Sequence, residues 1–479
     1  MPSNVVFRVR ASSPQLQEGL QRIAEEQHLP GEFPPEVLAA AERAAAAVVL
    51  PDLDRTDLPF LTIDPAGSMD LDQAMHLERD GTGYVVHYAI ADVAAFVTAG
   101  DPIDEEARRR GETLYGADTR IPLHPPTLSE GAASLLPDQV RPALLWTIGL
   151  DENGAQKSVK VERAKVRSTA RWSYVDAQAA LDGGTAPEVI ALLAEIGKLR
   201  EKQEVARGGV SLPLPEQEIT AEDGSFSLSF REQLPVELWN AQISLLTGMA
   251  AAGLMVEGKV GMLRTLPPPD PRDVARLRRV AQALQVEWPA EQDYPAFIRG
   301  LDPKRPADQA MTVACTRLLR GSGYTSFDGE LPEQRVQSAV AAEYAHVTAP
   351  LRRLGDRYVG EVCLALSAGR PAPDWARSAL PDLPKLLEDS GRRAHTYERA
   401  VADLVEAGIL AGRVGQTFNG TVTSADEKNP THGVLMAPAV GVEAPITGDA
   451  PLPVGQDVRA TLAVADVAQR KVEFRLTAP

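Results

Sequence analysis

The chain begins with two stretches of helical spacing. In "SPQLQEGLQRIAEEQ" (13–27) the apolar residues Leu16, Leu20 and Ile23 recur at three- and four-residue intervals, predicting a helix with one buried stripe. The Pro- and Gly-rich turn "HLPGEFPP" ends it, and "EVLAAAERAAAAVVL" (36–50) predicts a second helix. From about residue 51 the pattern changes to strands. "PFLTID", "AMHLE" and "YVVHYAIADVAAFV" predict three, the last two joined by the turn "DGTG". "LLWTIGLDENGAQKSVKVERAKVRS" predicts a hairpin with Asn153-Gly154 at its tip. Helical spacing returns over 236–256, 273–286, 306–320, 334–345, 351–368 and 385–412, with the loop "TLPPPDPR" (265–272) among these segments. After Gly412 come short alternating strands separated by Gly, Asn and Asp. About five strands in so short a segment predict a small closed barrel of the OB type, which often binds single strands on one face. The expected class is α+β and multidomain. It comprises a helix-turn-helix-like module over 1–50, a mixed domain over 51–412 and a barrel over 413–479.

Composition changes this picture little. A chain of 479 residues exceeds the roughly 250–300 at which single cores stop growing, so several domains are expected. No apolar run is long enough to span a membrane, and the N-terminus lacks the apolar core of a signal peptide, so a cytoplasmic location is expected. The two cysteines, Cys315 and Cys363, read as small buried hydrophobes. Charge is more informative. The net value is −17, of which residues 1–50 carry −2 and 413–479 carry −1. A nucleic acid would have to be held by local arginines or by metal, because overall attraction is absent.

The chemistry concentrates in "TIDPAGSMDLDQAMHL" (62–77), where Asp64, Asp70 and Asp72 lie close together. Such crowding of like charge fits a divalent-cation site with hard oxygen ligands. It also fits turn chemistry, in which aspartates cap loops. The spacing fails the calcium-loop pattern, and it leaves the first two readings balanced. If 70–73 is extended, Asp70 and Asp72 share a face and Gln73 takes the other. Further along, "TAPLRRLGDRYVGEV" puts Thr348 or Ala349 at a helix cap, with Pro350 in the first turn. Arg352 and Arg353 there oppose the helix dipole, a conflict that a bound phosphate would resolve.

Taken in order, these segments resemble the ribonuclease II/ribonuclease R family of 3′→5′ exoribonucleases. The metal signature is matched by Asp64-PAGSM-Asp70-Leu71-Asp72-Gln73, and the alanine-aspartate strand by Ala91-Asp92. Tyr115-GADTR-Ile121-Pro122-LHPPT-Leu128-Ser129, Thr348-Ala349-Pro350-Leu351-Arg352-Arg353 and Glu398-Arg399 match the later motifs. The resemblance runs from about 55 to 412, and the C-terminal barrel fits it.

The resemblance implies a central catalytic domain that hydrolyses RNA from its 3′ end, processively, to 5′-nucleoside monophosphates. It implies one or two Mg²⁺ ions held by Asp64, Asp70, Asp72 and Gln73, with Asp72 and Arg352 catalytic. Tyr115, Arg352, Arg353, Glu398 and Glu237 are the implied RNA contacts, with Glu398 the acidic partner of Arg352. His87 and His346 read as structural. The partner is RNA, with no membrane, and the chain is expected to be monomeric. Two departures stand out. The fourth aspartate of the signature is Gln73, whose carbonyl is a neutral ligand, so a weakened RNA-binding protein on the same fold is the alternative. A DNA exonuclease is a further alternative, because 2′-OH readout is not legible in sequence. The N-terminal helices stand where the family carries cold-shock barrels, from which tolerance of structured RNA is expected.

Overall fold

The computed structural model describes residues 8–117, 119–212 and 214–477. The strand β1 (Arg8–Arg10) leads into helices α1 (Pro14–Glu26) and α2 (Pro35–Ala47). Each helix has proline in its first position, where the missing N–H is no loss. Contrary to the expected module, the two helices share no core. Leu16 and Ile23 of α1 are buried with residues of the C-terminal barrel, whereas Val37, Ala40 and Ala41 of α2 join a cluster of the central domain. Each apolar stripe is too short to make a core alone, so each helix packs on the nearest larger one.

The central domain is built on a closed barrel. β2 (Phe60–Asp64), β3 (Gln73–Asp80) and β4 (Gly83–Ala91) are followed by α3 (Pro102–Arg110) and a short hairpin, β5 (Leu114–Tyr115) and β6 (Arg120–Ile121). β7 (Val140–Leu150) and β8 (Gln156–Ser173) complete the order β2-β3-β4-β7-β8, with β8 parallel to β2. Alternate residues enter different clusters. Leu61, Ile63, Met75, Tyr88 and Trp146 belong to one, and Phe60, Ala74, Ala89 and Leu145 to another. Both faces are therefore buried, which is why β4 and β7 read as nearly continuous apolar runs.

Helices and short sheets cover this barrel. α4 (Tyr174–Asp182) and α5 (Glu188–Arg207) precede the hairpin β9 (Glu216–Glu222) and β10 (Ser225–Arg231), to which β1 adds a third strand. α6 (Pro235–Gly258) leads to β11 (Val260–Thr265). A small cluster forms on α7 (Pro271–Ala283), α8 (Tyr294–Arg299) and α9 (Pro306–Cys315), before β12 (Gly323–Asp328) pairs with β11.

The helix expected over 334–345 is absent. Its place is taken by two short strands, β13 (Val336–Gln337) and β14 (Ala342–Glu343), because Val336 pairs with Glu343 and its carbonyl accepts from Leu266 N. The helix expected from 351 begins later, as α10 (Leu354–Ser367), after a turn closed by Arg353 N to Ala349 O at 2.8 Å. Pro350 and Arg352 therefore precede the helix. α11 (Asp374–Ala379) and the long α12 (Leu383–Leu410) follow.

The C-terminal barrel forms as expected from β15 (Thr417–Ala425), β16 (His432–Ala437), β17 (Val442–Thr447), β18 (Asp457–Asp466) and β19 (Lys471–Leu476), in the order β15-β16-β17-β19-β18. α12 packs on it and carries α1. A Cβ on Gly19 of α1 would lie 2.6 Å from Leu404, so glycine permits the close approach. Among the described residues, no helix is long and apolar enough to cross a membrane.

Candidate active site

The three aspartates converge where β2 ends and β3 begins. These strands pair only at Leu61↔Met75, so they splay and leave residues 65–72 as a loop at the barrel end. Leu71 is buried, and its backbone is tied to Ser134 Oγ and Leu135 N. That plug fixes Asp70 and Asp72 on either side of it without the extended geometry on which the sequence argument relied.

Asp72 is buried. Its Oδ1 accepts from Leu351 N at 2.7 Å and its Oδ2 from Arg352 Nε at 3.0 Å. Burial pushes its carboxyl up to about 7, against the pull of Arg352 and the Leu351 N–H, with Asp356 and Asp70 adding to the rise. Asp64, the last residue of β2, is pushed up to about 6 by burial. Arg352 opposes that rise and Asp70 adds to it. The Oδ2 of Asp64 is buried without a hydrogen-bond partner. Asp70 is paired with Arg120. Among the described residues, no three His, Cys, Asp or Glu side chains sit closely enough to hold an ion as they stand.

The two arginines part company. Arg352 turns to Asp72 and keeps 46% of its side chain exposed. Burial works against its charge, but Asp72 more than compensates and raises its pKa. Arg353 is bound through Nε and Nη2 to Asp356, whose carboxylate also accepts from Ala349 N at 2.8 Å. It lines a separate cavity of about 340 Å³ with Arg264, Tyr324 and His346. Arg353, expected as an RNA contact, is thus held in an ion pair with Asp356 at the start of α10.

Gln73 is also spoken for. Its Oε1 accepts from the Tyr88 hydroxyl, and its Nε2 donates to Thr348 O at 2.7 Å. The expected ligand oxygen is therefore engaged in a bridge between β4 and the turn that carries Arg352. Glu237 caps α6 through Leu234 N and pairs with Arg231. Glu398 does not partner Arg352, since that place belongs to Asp72. Instead it lines a cavity of about 460 Å³ with Tyr115, Arg231, His395 and Arg399, between β9, β10 and α12. Burial and then the charge of Glu112 raise its pKa. Tyr115 also feels Arg352, Asp70 and Asp72, and burial first of all pushes its hydroxyl up to about 12. It therefore connects the acid pit to this cavity. Asp92 pairs with Arg163, which also pairs with Glu361. His87 bonds Glu78 and His346 bonds Tyr324, both structural as expected.

Several residues of the pit were missed. The register Asp64↔Ser173 places Tyr174 beside Asp64, where its hydroxyl accepts from Asn240 Nδ2 at 3.1 Å. Burial and the charge of Asp64 push that hydroxyl up to about 12. Arg171 ties the loop through Ser68 O at 3.0 Å. Tyr174 and Arg171 lie beyond the predicted hairpin, which ended at Ser168, and only the longer strand β8 brings them to the pit. Arg120 lay inside a matched segment and read as spacer.

Residues 53–366 match the RNB domain, and residues 416–477 match the RNase II-type exonuclease C-terminal S1 domain. The chain belongs to the ribonuclease II/ribonuclease R family. Among family relatives, Ribonuclease R of Escherichia coli is 26% identical over 400 residues, covering 78% of this chain and 48% of that protein. Ribonuclease R of Aquifex aeolicus is 25% identical over 419 residues, covering 83% and 58%. The chain thus spans about half the length of the curated relatives it matches. In fold it is similar to Mycoplasma genitalium RNase R in complex with ribose methylated single-stranded RNA, with a TM-score of 0.85 at 19% identity, covering 97% of this chain and 78% of that one. It is also similar to yeast Ssd1, a pseudonuclease, with a TM-score of 0.72 at 16% identity, covering 98% and 59%.

Proposed function

We propose that the chain is a Mg²⁺-dependent 3′→5′ exoribonuclease that releases 5′-nucleoside monophosphates processively, working as a cytoplasmic monomer. The observation that carries this reading is the coupling of Asp72 to Arg352 beside Asp64 and Asp70, near Tyr115, which lines the neighbouring cavity. The residues fit a divalent cation: the donors are hard carboxylate oxygens, and one of them, Asp64 Oδ2, is buried and unpartnered. Asp64, Asp70 and Asp72 would hold it. When bound, such an ion supplies neutralisation of the phosphoryl oxygens and activation of a water.

The chain's own groups supply the rest. Arg352, anchored through Nε, has its other guanidinium nitrogens available for a terminal phosphate. Tyr115 offers a ring on which any base can stack, as a sequence-tolerant nuclease needs. The RNA enters 3′ end first, with the C-terminal barrel binding the strand upstream. The engaged amide of Gln73 and the fold shared with a pseudonuclease favour a second reading, in which the chain binds RNA with little turnover. RNA carrying a label in its 3′-terminal nucleotide, incubated with the protein and Mg²⁺ beside DNA of the same sequence, separates these. Release of labelled mononucleotide from RNA is expected. Intact RNA that stays bound would establish the second reading.

A further inference from the structure

One cation in the acid pit has no part in the mechanism above. Arg120 opens β6 and stands directly across from Tyr115 of β5. Its guanidinium forks, with Nη1 on Asp70 Oδ1 and Nη2 on Glu130 Oε1 at 2.7 Å. Glu130 lies in a single π-helical turn, Leu128–Ala132. The charges of the pit are unevenly matched. Asp72 has Arg352, Asp70 has Arg120, and Asp64 has no ion pair among the described residues. Arg120 thus holds one oxygen of Asp70, a carboxylate that with Asp64 and Asp72 would hold a divalent ion.

We propose that Arg120 is an exchangeable counter-ion. It neutralises Asp70 while no divalent cation is bound. With one bound it gives up Asp70, stays tethered to Glu130, and contacts a phosphate of the RNA strand beside Tyr115. Two physical arguments support this. A guanidinium and a divalent ion on one carboxylate oxygen repel each other, so the two compete for Asp70. A planar guanidinium freed from one oxyanion matches another, and phosphate suits its fork. Glu130 keeps the freed side chain from leaving the site. The RNA contact rests on the exoribonuclease-family reading above, whereas the competition for Asp70 does not.

The test reads binding, not turnover. Mn²⁺ binding to the full chain without RNA is followed by electron paramagnetic resonance. R120Q removes the competitor and is expected to bind Mn²⁺ about tenfold more tightly, a typical coupling between two ligands. E130Q leaves Asp70 as the sole partner of Arg120 and is expected to weaken Mn²⁺ binding. A misfolded site would lower affinity in both variants, so opposite shifts are diagnostic. Binding of a single-stranded RNA with phosphorothioate 3′ linkages is then measured by fluorescence anisotropy across salt concentrations. With Mn²⁺ present, R120Q is expected to lower the salt slope by roughly 0.7, the value for one phosphate contact on a single strand. Weaker Mn²⁺ binding by R120Q, or an unchanged salt slope, would overturn the proposal. Absence of mononucleotide release from the parent chain with these shifts intact would remove the nuclease reading and leave the exchange at Asp70 standing.

Discussion

The molecule holds two closed five-stranded barrels, and they treat charge in opposite ways. The N-terminal barrel and its helical cover bury Asp72, Asp92, Asp104, Arg110, Asp356, Arg357 and Glu361. In the C-terminal barrel the only buried polar residues among those described are the threonines Thr421 and Thr423. Burying an ion is unfavourable unless it is paired and hydrogen-bonded. The first barrel meets that condition with networks such as Asp92–Arg163–Glu361 and Arg357–Asp104. It leaves Asp64 and Asp72 only partly compensated, with pKa values raised to about 6 and 7. The same strand count therefore accommodates buried charge in one barrel and excludes it from the other among the described residues.

Substitutions can break this contrast in graded steps. The largest effect is expected from Asp72→Asn, which keeps the shape but removes the charge opposite Arg352. Mononucleotide release should fall about a thousandfold, or about 4 kcal/mol of barrier, while urea denaturation changes little. Next is Arg353→Gln. It strands the buried Asp356 carboxylate and should destabilise the central domain by about 3–5 kcal/mol, as measured by denaturant unfolding. If it instead abolished RNA binding with stability unchanged, the assignment of Arg353 to an internal pair would fail. Phe474→Ala removes a buried ring from the second barrel and should loosen that barrel by about 3–5 kcal/mol. Affinity for long RNA, followed by fluorescence anisotropy, should fall.

A smaller effect is expected at the seam. Glu406 of α12 accepts from Gln217 Nε2 at 2.7 Å, and Gln217 also donates to Gly441 O at 2.8 Å beside the second barrel. Burial raises the Glu406 carboxyl to about 7, against the hydrogen bond from Gln217. An acid raised on folding favours the folded state fully below its unfolded pKa near 4.5, and that contribution is lost as pH rises through about 7. Glu406→Gln should therefore be more stable than the parent above pH 7, by up to about 3 kcal/mol, with the advantage vanishing in acid. The smallest effect is expected from Gln73→Leu. It leaves the Tyr88 hydroxyl and Thr348 carbonyl unpaired, at a cost of about 1–3 kcal/mol.

The C-terminal barrel was legible in the alternation of apolar residues, and several strands of the central domain were legible as strands, but their closure into a barrel was not; the aspartates were legible as a cluster whose spacing left its role open. What sequence could not supply was partnership across the chain. Gln73 looks like a damaged ligand until Tyr88 and Thr348 are seen to hold both ends of its amide. Arg352 and Arg353 look equivalent until the turn from Ala349 sends one to Asp72 and the other to Asp356. Val336 and Val340 have helical spacing, but a strand partner and the Leu266 backbone outweigh that weak preference. The N-terminal helices were legible as helices; their separate attachments were not, because a stripe does not name the surface it meets.

Those attachments carry a consequence. α1 is fastened toward the second barrel and α2 to the first, and the turn between them is clamped. Arg110 donates to Gly31 O at 2.8 Å and lies 3.7 Å over the Phe33 ring. The segment thus links the two barrels. If the second barrel holds the strand as proposed, a constant gap between it and the acid pit sets a minimum span for the RNA. The rate plotted against RNA length should rise in a single step at that span, and Arg110→Ala, which opens the clamp, should blur the step without moving the acids.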